Sequence, residues 1–67
     1  MKHIYTFRIY YKFKDDNRVA TLLHTMLSDE DFEQAGQAAM SWAEEMLREF
    51  DAVPVGITFE RGDTLEN

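Results

Sequence analysis

The sequence predicts an α+β fold of order β-β-α-β, in which one amphipathic helix covers one face of a three-stranded, mainly antiparallel sheet. Three observations predict this class. Residues 28–50 have a helical period, residues 3–13 have the two-residue period of a strand, and shorter strand-like segments lie at residues 19–26 and 53–61. The chain of 67 residues is long enough for one small core, so we interpret residues 1–67 as a single domain.

The first predicted strand, residues 3–13, is rich in the aromatic and β-branched side chains that strands favour. Successive side chains of a strand point to opposite faces of its sheet. One face of this segment therefore carries His3, Tyr5, Phe7, Ile9, Tyr11 and Phe13, and the other carries Ile4, Thr6, Arg8 and Tyr10. Because both faces are bulky, we expect this strand to be central.

Residues 14–18 have the composition of a turn, because Asp and Asn side chains bond readily to their own backbone. We expect them to join the first strand to a second one over residues 19–26. Apolar residues occur on both sides of this second strand, so the pattern does not assign its inward face.

The predicted helix has a start signal at Ser28, which would be the N-cap, with Asp31 three residues later in a capping box. Leu27 and Phe32 have the spacing of a hydrophobic staple. The apolar stripe has small residues in its middle and large ones at its ends and flank. We therefore expect the helix to approach the sheet closely, with its stripe formed by Phe32, Ala35, Gly36, Ala39, Met40, Trp42, Ala43, Met46, Leu47 and Phe50.

The third predicted strand, residues 53–61, places Val53, Val55, Ile57 and Phe59 on one face. Pro54 cannot donate a hydrogen bond to a sheet, so this strand is expected at an edge or with a late start. Residues 62–67 read as a frayed polar tail. We favour the spatial order 2-1-3, because the first strand has the most central composition; the alternative pairs the third strand in parallel with the second.

The charge is unevenly distributed along the chain. Residues 1–27 carry five basic and two acidic side chains, a net charge of +3, whereas residues 28–67 carry two basic and eleven acidic side chains, a net charge of −9. This pattern disfavours direct nucleic-acid binding and favours a protein partner with a basic surface. The candidate partner-binding residues are Asp29, Glu30, Asp31, Glu33, Glu44, Glu45 and Glu49. The acidity is equally consistent with a role in solubility alone.

A single helix leaves the second face of the sheet uncovered. Apolar side chains ringed by polar groups on such a face often form interfaces. The candidate interface residues are Ile4, Arg8, Tyr10 and Leu22, with His24, Gly56, Thr58 and Glu60 as neighbours. This face predicts a second class of function, a homodimeric regulatory or structural module.

A third class is an RNA-binding sheet, because the predicted hairpin mixes basic and aromatic side chains. Aromatic side chains on a sheet can stack on the bases of single-stranded RNA. The residues concerned are Arg8, Tyr10, Tyr11, Lys12, Lys14 and Arg18.

Catalytic and cofactor signals are weak in this sequence. There is no cysteine, phosphate-binding loop or nucleophile motif. His3 and His24 lack a third metal ligand in the pattern, and the carboxylate pairs Glu45/Glu49 and Asp29/Glu33 fit a solvated helix face. We therefore expect neither an enzyme nor a cofactor nor a metal site, and no membrane span.

The whole chain resembles the small, acidic, cysteine-free proteins that bacteriophages and prophages encode. The features are a strand close to Met1, an acidic cap opening an Ala-rich helix (SDEDFEQAGQAAMSWAEE) and a closing strand with Pro and Gly (VPVGITFE). Phage inhibitors of host RNA polymerase and anti-CRISPR proteins are similar in size and layout. The resemblance implies an inhibitor that occludes a basic surface of a host protein complex in the bacterial cytoplasm.

Overall fold

The computed structural model describes residues 2–65, which form β1 (Lys2–Phe13), β2 (Ala20–Ser28), α1 (Phe32–Arg48) and β3 (Ala52–Leu65). The strands form one antiparallel sheet in the order β2-β1-β3. The helix packs on one face of this sheet. The predicted α+β class, element order and strand order are therefore confirmed, and the alternative with β3 beside β2 is wrong.

The centre of the core is formed by β1, whose alternate side chains point toward the helix. Tyr5, Phe7 and Ile9 are buried, and Ile9 is fully inaccessible to solvent. Small side chains on the helix allow its axis to come close to the sheet, as the stripe predicted. The buried helix residues recur at every fourth position: Ala35, Ala39, Ala43 and Leu47.

The register between β1 and β2 assigns the faces of the second strand. Leu22 lies opposite Ile9, and His24 lies opposite Phe7. Directly opposed residues of an antiparallel pair share a face, so Leu22 and His24 point toward the helix. The predicted placement of Leu22 and His24 on the open face is therefore wrong. Leu23, which lies opposite Arg8, is on the open face instead. The sequence pattern did not distinguish the two faces, because apolar residues occur on both sides of β2.

The helix begins three residues later than predicted. Asp31 is the N-cap, and its carboxylate accepts a hydrogen bond from the backbone N–H of Gln34 at 3.0 Å. Ser28 is the last residue of β2, where it pairs with His3, and its hydroxyl oxygen accepts the N–H of Glu30 at 3.0 Å. The predicted capping role of Ser28 and the staple between Leu27 and Phe32 are wrong, because strand pairing continues through residues 27 and 28.

The two capping candidates can be separated by measurement. Asp31→Ala is expected to lower the free energy of unfolding by about 1 kcal/mol, because an N–H of the first turn loses its acceptor. Ser28→Ala is the matched control and is expected to cost less, since Ser28 accepts only from a turn outside the helix. Urea denaturation followed by Trp42 fluorescence measures both. An equal or larger effect at Ser28 would contradict the assignment.

The strand β3 departs from the prediction in two ways. Its pairing with β1 shifts register between Tyr10 and Tyr11, so that Gly56 and Pro54 have partners and Val55 between them has none. The alternation predicted for Val53, Val55, Ile57 and Phe59 is therefore broken: Ile57 faces the core, whereas Val53 and Val55 are exposed. The edge position predicted from Pro54 is confirmed.

The polar tail predicted for residues 62–67 also requires correction. Gly62 lies opposite Tyr5, and pairing continues to Leu65 opposite Lys2. Residues 62–65 therefore belong to β3, and residues 66 and 67 lie outside the described part of the chain. The polar composition of this segment concealed its strand, because the long β1 supplies a template that local propensity does not record.

Gly36 lies beside the ring of Phe7, where a Cβ would be 3.4 Å from Cε1, an ordinary van der Waals contact. Alanine therefore fits, and Gly36→Ala is expected to stabilise the protein by about 1 kcal/mol through its helix propensity. At Gly62 a Cβ would lie 3.0 Å from both Tyr5 and Phe59, so Gly62→Ala is expected to destabilise. Urea denaturation of both variants checks the contrast. A destabilised Gly36→Ala would show that the added methyl group does not fit against the ring of Phe7.

Candidate functional site

The fold separates charge between its two layers. The helix layer, defined as residues 29–51, carries eight acidic side chains and one basic side chain, a net charge of −7. The sheet layer, defined as residues 2–28 and 52–65, carries six basic and four acidic side chains, a net charge of +2. All seven acidic residues selected from the sequence lie in the helix layer and are exposed. The acidic surface is therefore the helix side of the molecule.

The acidic connection between β2 and α1 is tied to the sheet. The hydroxyl of Tyr5 donates a hydrogen bond to the backbone carbonyl of Glu30 at 2.8 Å. The ammonium of Lys2 lies 3.6 Å from a carboxylate oxygen of Asp29, and both side chains are largely exposed. Such a surface ion pair contributes little to stability. The buried Tyr5 therefore does more to hold the acidic connection in place.

The four glutamates of the helix layer that follow this connection lie on two flanks. Glu33 and Glu44 border grooves beside β3. Glu45 and Glu49 are one helical turn apart, on the flank that carries Trp42. Glu33 and Glu44 are about 16 Å apart along the axis, from eleven residues at 1.5 Å each. Along the helix axis the predicted acidic residues therefore form two groups. One group, residues 29–33, lies at the start of α1, and the other, Glu44, Glu45 and Glu49, lies at its end.

An apolar groove of about 400 Å³ lies between the first half of α1 and β3. The ring of Phe59 lines this groove. It is 5.4 Å from the ring of Phe32 and 5.7 Å from that of Phe7, measured between centroids. Phe32 and Phe59 are about half-exposed. The sequence pattern placed Phe32 in the apolar stripe of the helix and Phe59 on one face of the third strand. Gly36 lines this groove, and the absence of a side chain at that position of the stripe was the signal that could have indicated it.

The open face of the sheet contains its own polar network. The guanidinium of Arg8 donates to a carboxylate oxygen of Glu60, from Nε at 3.2 Å and from Nη2 at 3.0 Å. The hydroxyls of Thr6 and Thr25 are 3.0 Å apart. Ile4 and Tyr10 share this face with Arg8, as predicted, and are half-buried. The most exposed apolar side chains here belong to β2 instead: Leu23 is 58% and Leu27 is 60% exposed.

The basic aromatic hairpin is divided by the sheet. Arg8, Tyr10 and Lys12 alternate onto the open face, whereas Tyr11 packs against the core with its ring 5.8 Å from that of Phe13. The turn residue Arg18 pairs with Asp16 at 2.8 Å. The guanidinium and the backbone N–H of Arg18 both donate hydrogen bonds to the carboxylate of Asp16. These bonds hold the pKa of Asp16 below its ordinary value, and the bond from the side chain has the larger effect. The structure therefore brings half of the predicted RNA-binding set together and separates the rest.

The two histidines lie apart on the helix side of the sheet. His24 stacks on Trp42 with ring centroids 3.9 Å apart, and burial there lowers the pKa of the imidazole. His3 is about 13 Å away along the strands, opposite Ser28, and its Nδ1 is 3.2 Å from the hydroxyl of Thr64. Within residues 2–65, no group of three or more His, Asp or Glu side chains has the geometry of a metal site.

The described helix is too short and too polar to cross a lipid bilayer. The carboxylate pairs Glu45/Glu49 and Asp29/Glu33 lie on exposed surface, and the expectation that the protein is not an enzyme stays a prediction. Comparison of the chain with protein-family models, curated proteins and solved structures gives no match.

Proposed function

We propose that this chain is a small protein-binding module whose helix layer docks on a basic surface of another protein and occludes it. The observation that carries the proposal is the separation of charge, with a net −7 on the helix layer and +2 on the sheet layer. Acidity that serves solubility alone has no need to collect on one layer. A dipolar molecule of this kind approaches a basic partner with its helix side foremost.

Most of the acidic side chains are available to a partner, and the backbone that carries them is held in place. Among the described salt bridges of residues 2–65, the one that involves the helix layer joins Lys2 and Asp29. The backbone that carries the acidic side chains is held by the buried residues of α1 and by the hydrogen bond from Tyr5. A partner would therefore meet acidic side chains on a backbone that is already ordered, which reduces the entropy lost on binding.

The spacing of the acidic groups determines the kind of basic surface that fits. At physiological ionic strength charges are screened over about 8 Å. The two groups, about 16 Å apart along α1, therefore act as separate contacts. The partner must present basic residues at two places, as the nucleic-acid-binding surface of a protein complex does. Occlusion of such a surface is the mechanism of a phage-encoded inhibitor, of the anti-CRISPR or RNA polymerase inhibitor type, acting in the cytoplasm of a bacterial host.

Matched charge reversals test the proposal. Glu44→Lys/Glu45→Lys changes the helix layer, and Asp15→Lys/Asp63→Lys changes the sheet layer by the same four charge units. In a tagged pull-down from bacterial lysate, we expect the unaltered chain to capture one stoichiometric protein with a basic surface. The helix-layer variant should lose most of that protein, and the sheet-layer variant should retain it.

The salt dependence of capture provides the second measurement. Binding to a basic surface should weaken as salt is raised, because surface charges are screened. Equal capture by both double variants, or capture that does not respond to salt, would overturn the proposal. Circular dichroism of each variant verifies that the fold is retained, as expected for exposed substitutions.

A further inference from the structure

We infer that β2 is the edge through which two copies of this chain pair, antiparallel and side by side, to form a continuous six-stranded sheet. The two edges of the described sheet are β2 and β3. An exposed edge presents unpaired N–H and C=O groups that recruit a further strand, and proteins normally block this with proline, charge or bulges. The two edges differ in these defences.

The outer strand β3 is well defended. It contains Pro54, two register shifts against β1, and the charged residues Glu60, Arg61 and Asp63. The outer strand β2, by contrast, has no proline, glycine, acidic or Lys/Arg residue between Ala20 and Ser28. Its nine pairs with β1 follow one another without a register shift. The edge of β2 is therefore flat and uncharged, as an edge that pairs with another strand must be.

Apolar surface is exposed on both sides of this strand. Leu23 and Leu27 are the most exposed apolar side chains on the open face. On the helix side, Leu22 and Met26 are only partly buried, whereas their neighbours on β1 are buried. Trp42, stacked over His24, is 40% exposed. A second sheet joined at this edge would cover both sides at once, which no single face-to-face contact does.

Charge favours a second copy in the antiparallel sense. In the register centred on His24, Ala20 lies opposite the partner's Ser28. The acidic connection of one copy, residues 29–31, then lies beside the partner's turn, residues 14–18, which has two basic and two acidic side chains. Arg18 is the turn residue nearest to that connection. Parallel pairing would instead place two acidic connections side by side, and like charges in contact destabilise pairing.

The helices are compatible with this arrangement. Antiparallel pairing places the two-fold axis perpendicular to the sheet near His24, so both helices lie on one side, related through Trp42. The helices run in opposite directions about an axis near Trp42, so Glu45 and Glu49 of one copy are not placed opposite the same two side chains of the other. Both acidic helix layers remain outward on that side. The inference does not depend on the proposed function.

The test is the mass of the full chain in solution, measured by sedimentation equilibrium over a range of concentrations. We expect twice the 7.9 kDa of one chain at high concentration. Leu23→Lys/Thr25→Lys places like charges opposite one another across the edge, and should raise the dimer dissociation constant at least about tenfold. Two matched controls carry the same charge change: Val55→Lys/Thr58→Lys on β3, and Ile4→Lys/Tyr10→Lys on the open face. Both should remain dimeric.

Several outcomes would overturn the inference. These are a monomer of 7.9 kDa throughout, an assembly larger than a dimer, or a dimer that the β2 variant leaves intact. Dissociation by the open-face variant would assign the contact to that face instead. Amide hydrogen exchange of the unaltered chain tests the same edge without a substitution, so its result does not depend on whether a variant folds. Protection should rise with concentration in β2 and not in β3, and a uniform response would count against the edge.

Discussion

Ile9→Ala is expected to lower the free energy of unfolding by about 2–5 kcal/mol at 25 °C. Ile9 is the largest fully buried side chain described, in the central strand between Leu22 and Ile57. Truncation there removes buried methyl groups and leaves a cavity that strands on both sides hold open. A protein of 67 residues has a total stability of about 3–10 kcal/mol, so this one change removes a large part of it.

The measurement is urea denaturation with Trp42 fluorescence and far-ultraviolet circular dichroism. Val55→Ala is the control, because it makes a similar replacement in a strand at an exposed position without a partner in β1. It is expected to change stability by about 0.5 kcal/mol or less. If Ile9→Ala costs no more than Val55→Ala, the centre of the core does not lie between β1 and the helix.

Ala39→Leu is expected to destabilise the protein by about 1–3 kcal/mol by overpacking. Ala39 is fully buried in the stripe of α1 that approaches the sheet. A larger side chain must push the helix away from β1, which would loosen the contacts of Ala35 and Ala43 on either side. Alanine and leucine both have high helix propensity, so propensity contributes little to the difference in stability.

Ala38→Leu is the matched control for this change. Ala38 is the preceding residue of the same helix and is exposed, so the same added volume extends into solvent. Its free energy of unfolding should stay within about 0.5 kcal/mol of the unaltered protein. Similar losses for both variants in urea denaturation would show that the helix does not pack through its alanine stripe.

Docking of the helix layer on a basic partner and pairing of two copies through β2 are tested by different variants, so one proposal can fail while the other holds. Lysine at positions 44 and 45 should remove most of the capture of the basic partner while the mass in solution stays that of a dimer. Lysine at positions 23 and 25 should halve the mass and leave the charge of the helix layer unchanged. Loss of both properties in the variant at positions 23 and 25 would indicate that partner binding requires two helix layers on one sheet.

Much of the architecture could be predicted because several signals agreed locally. In β1 the two-residue period, the aromatic content and bulk on both faces all indicate a central strand. In α1 the small residues at every fourth position indicate a helix that lies close to a sheet. The acidic residues could be selected for the same reason: the helical period places them away from the stripe, so their exposure follows from the sequence.

The remaining features depended on contacts between distant residues. Apolar residues on both sides of β2 permit either face inward, and pairing with β1 puts Leu22 under the helix and Leu23 outside. Ser28 and Asp31 are both good caps, and the choice of Asp31 follows from strand pairing that extends to residue 28. The shifts in β3 leave Val55 and Glu60 without partners in β1, and nothing in the local pattern marks these two positions. Sequence thus determined the elements and their charges, and tertiary structure decided register, because register is set by a partner strand that local pattern does not contain.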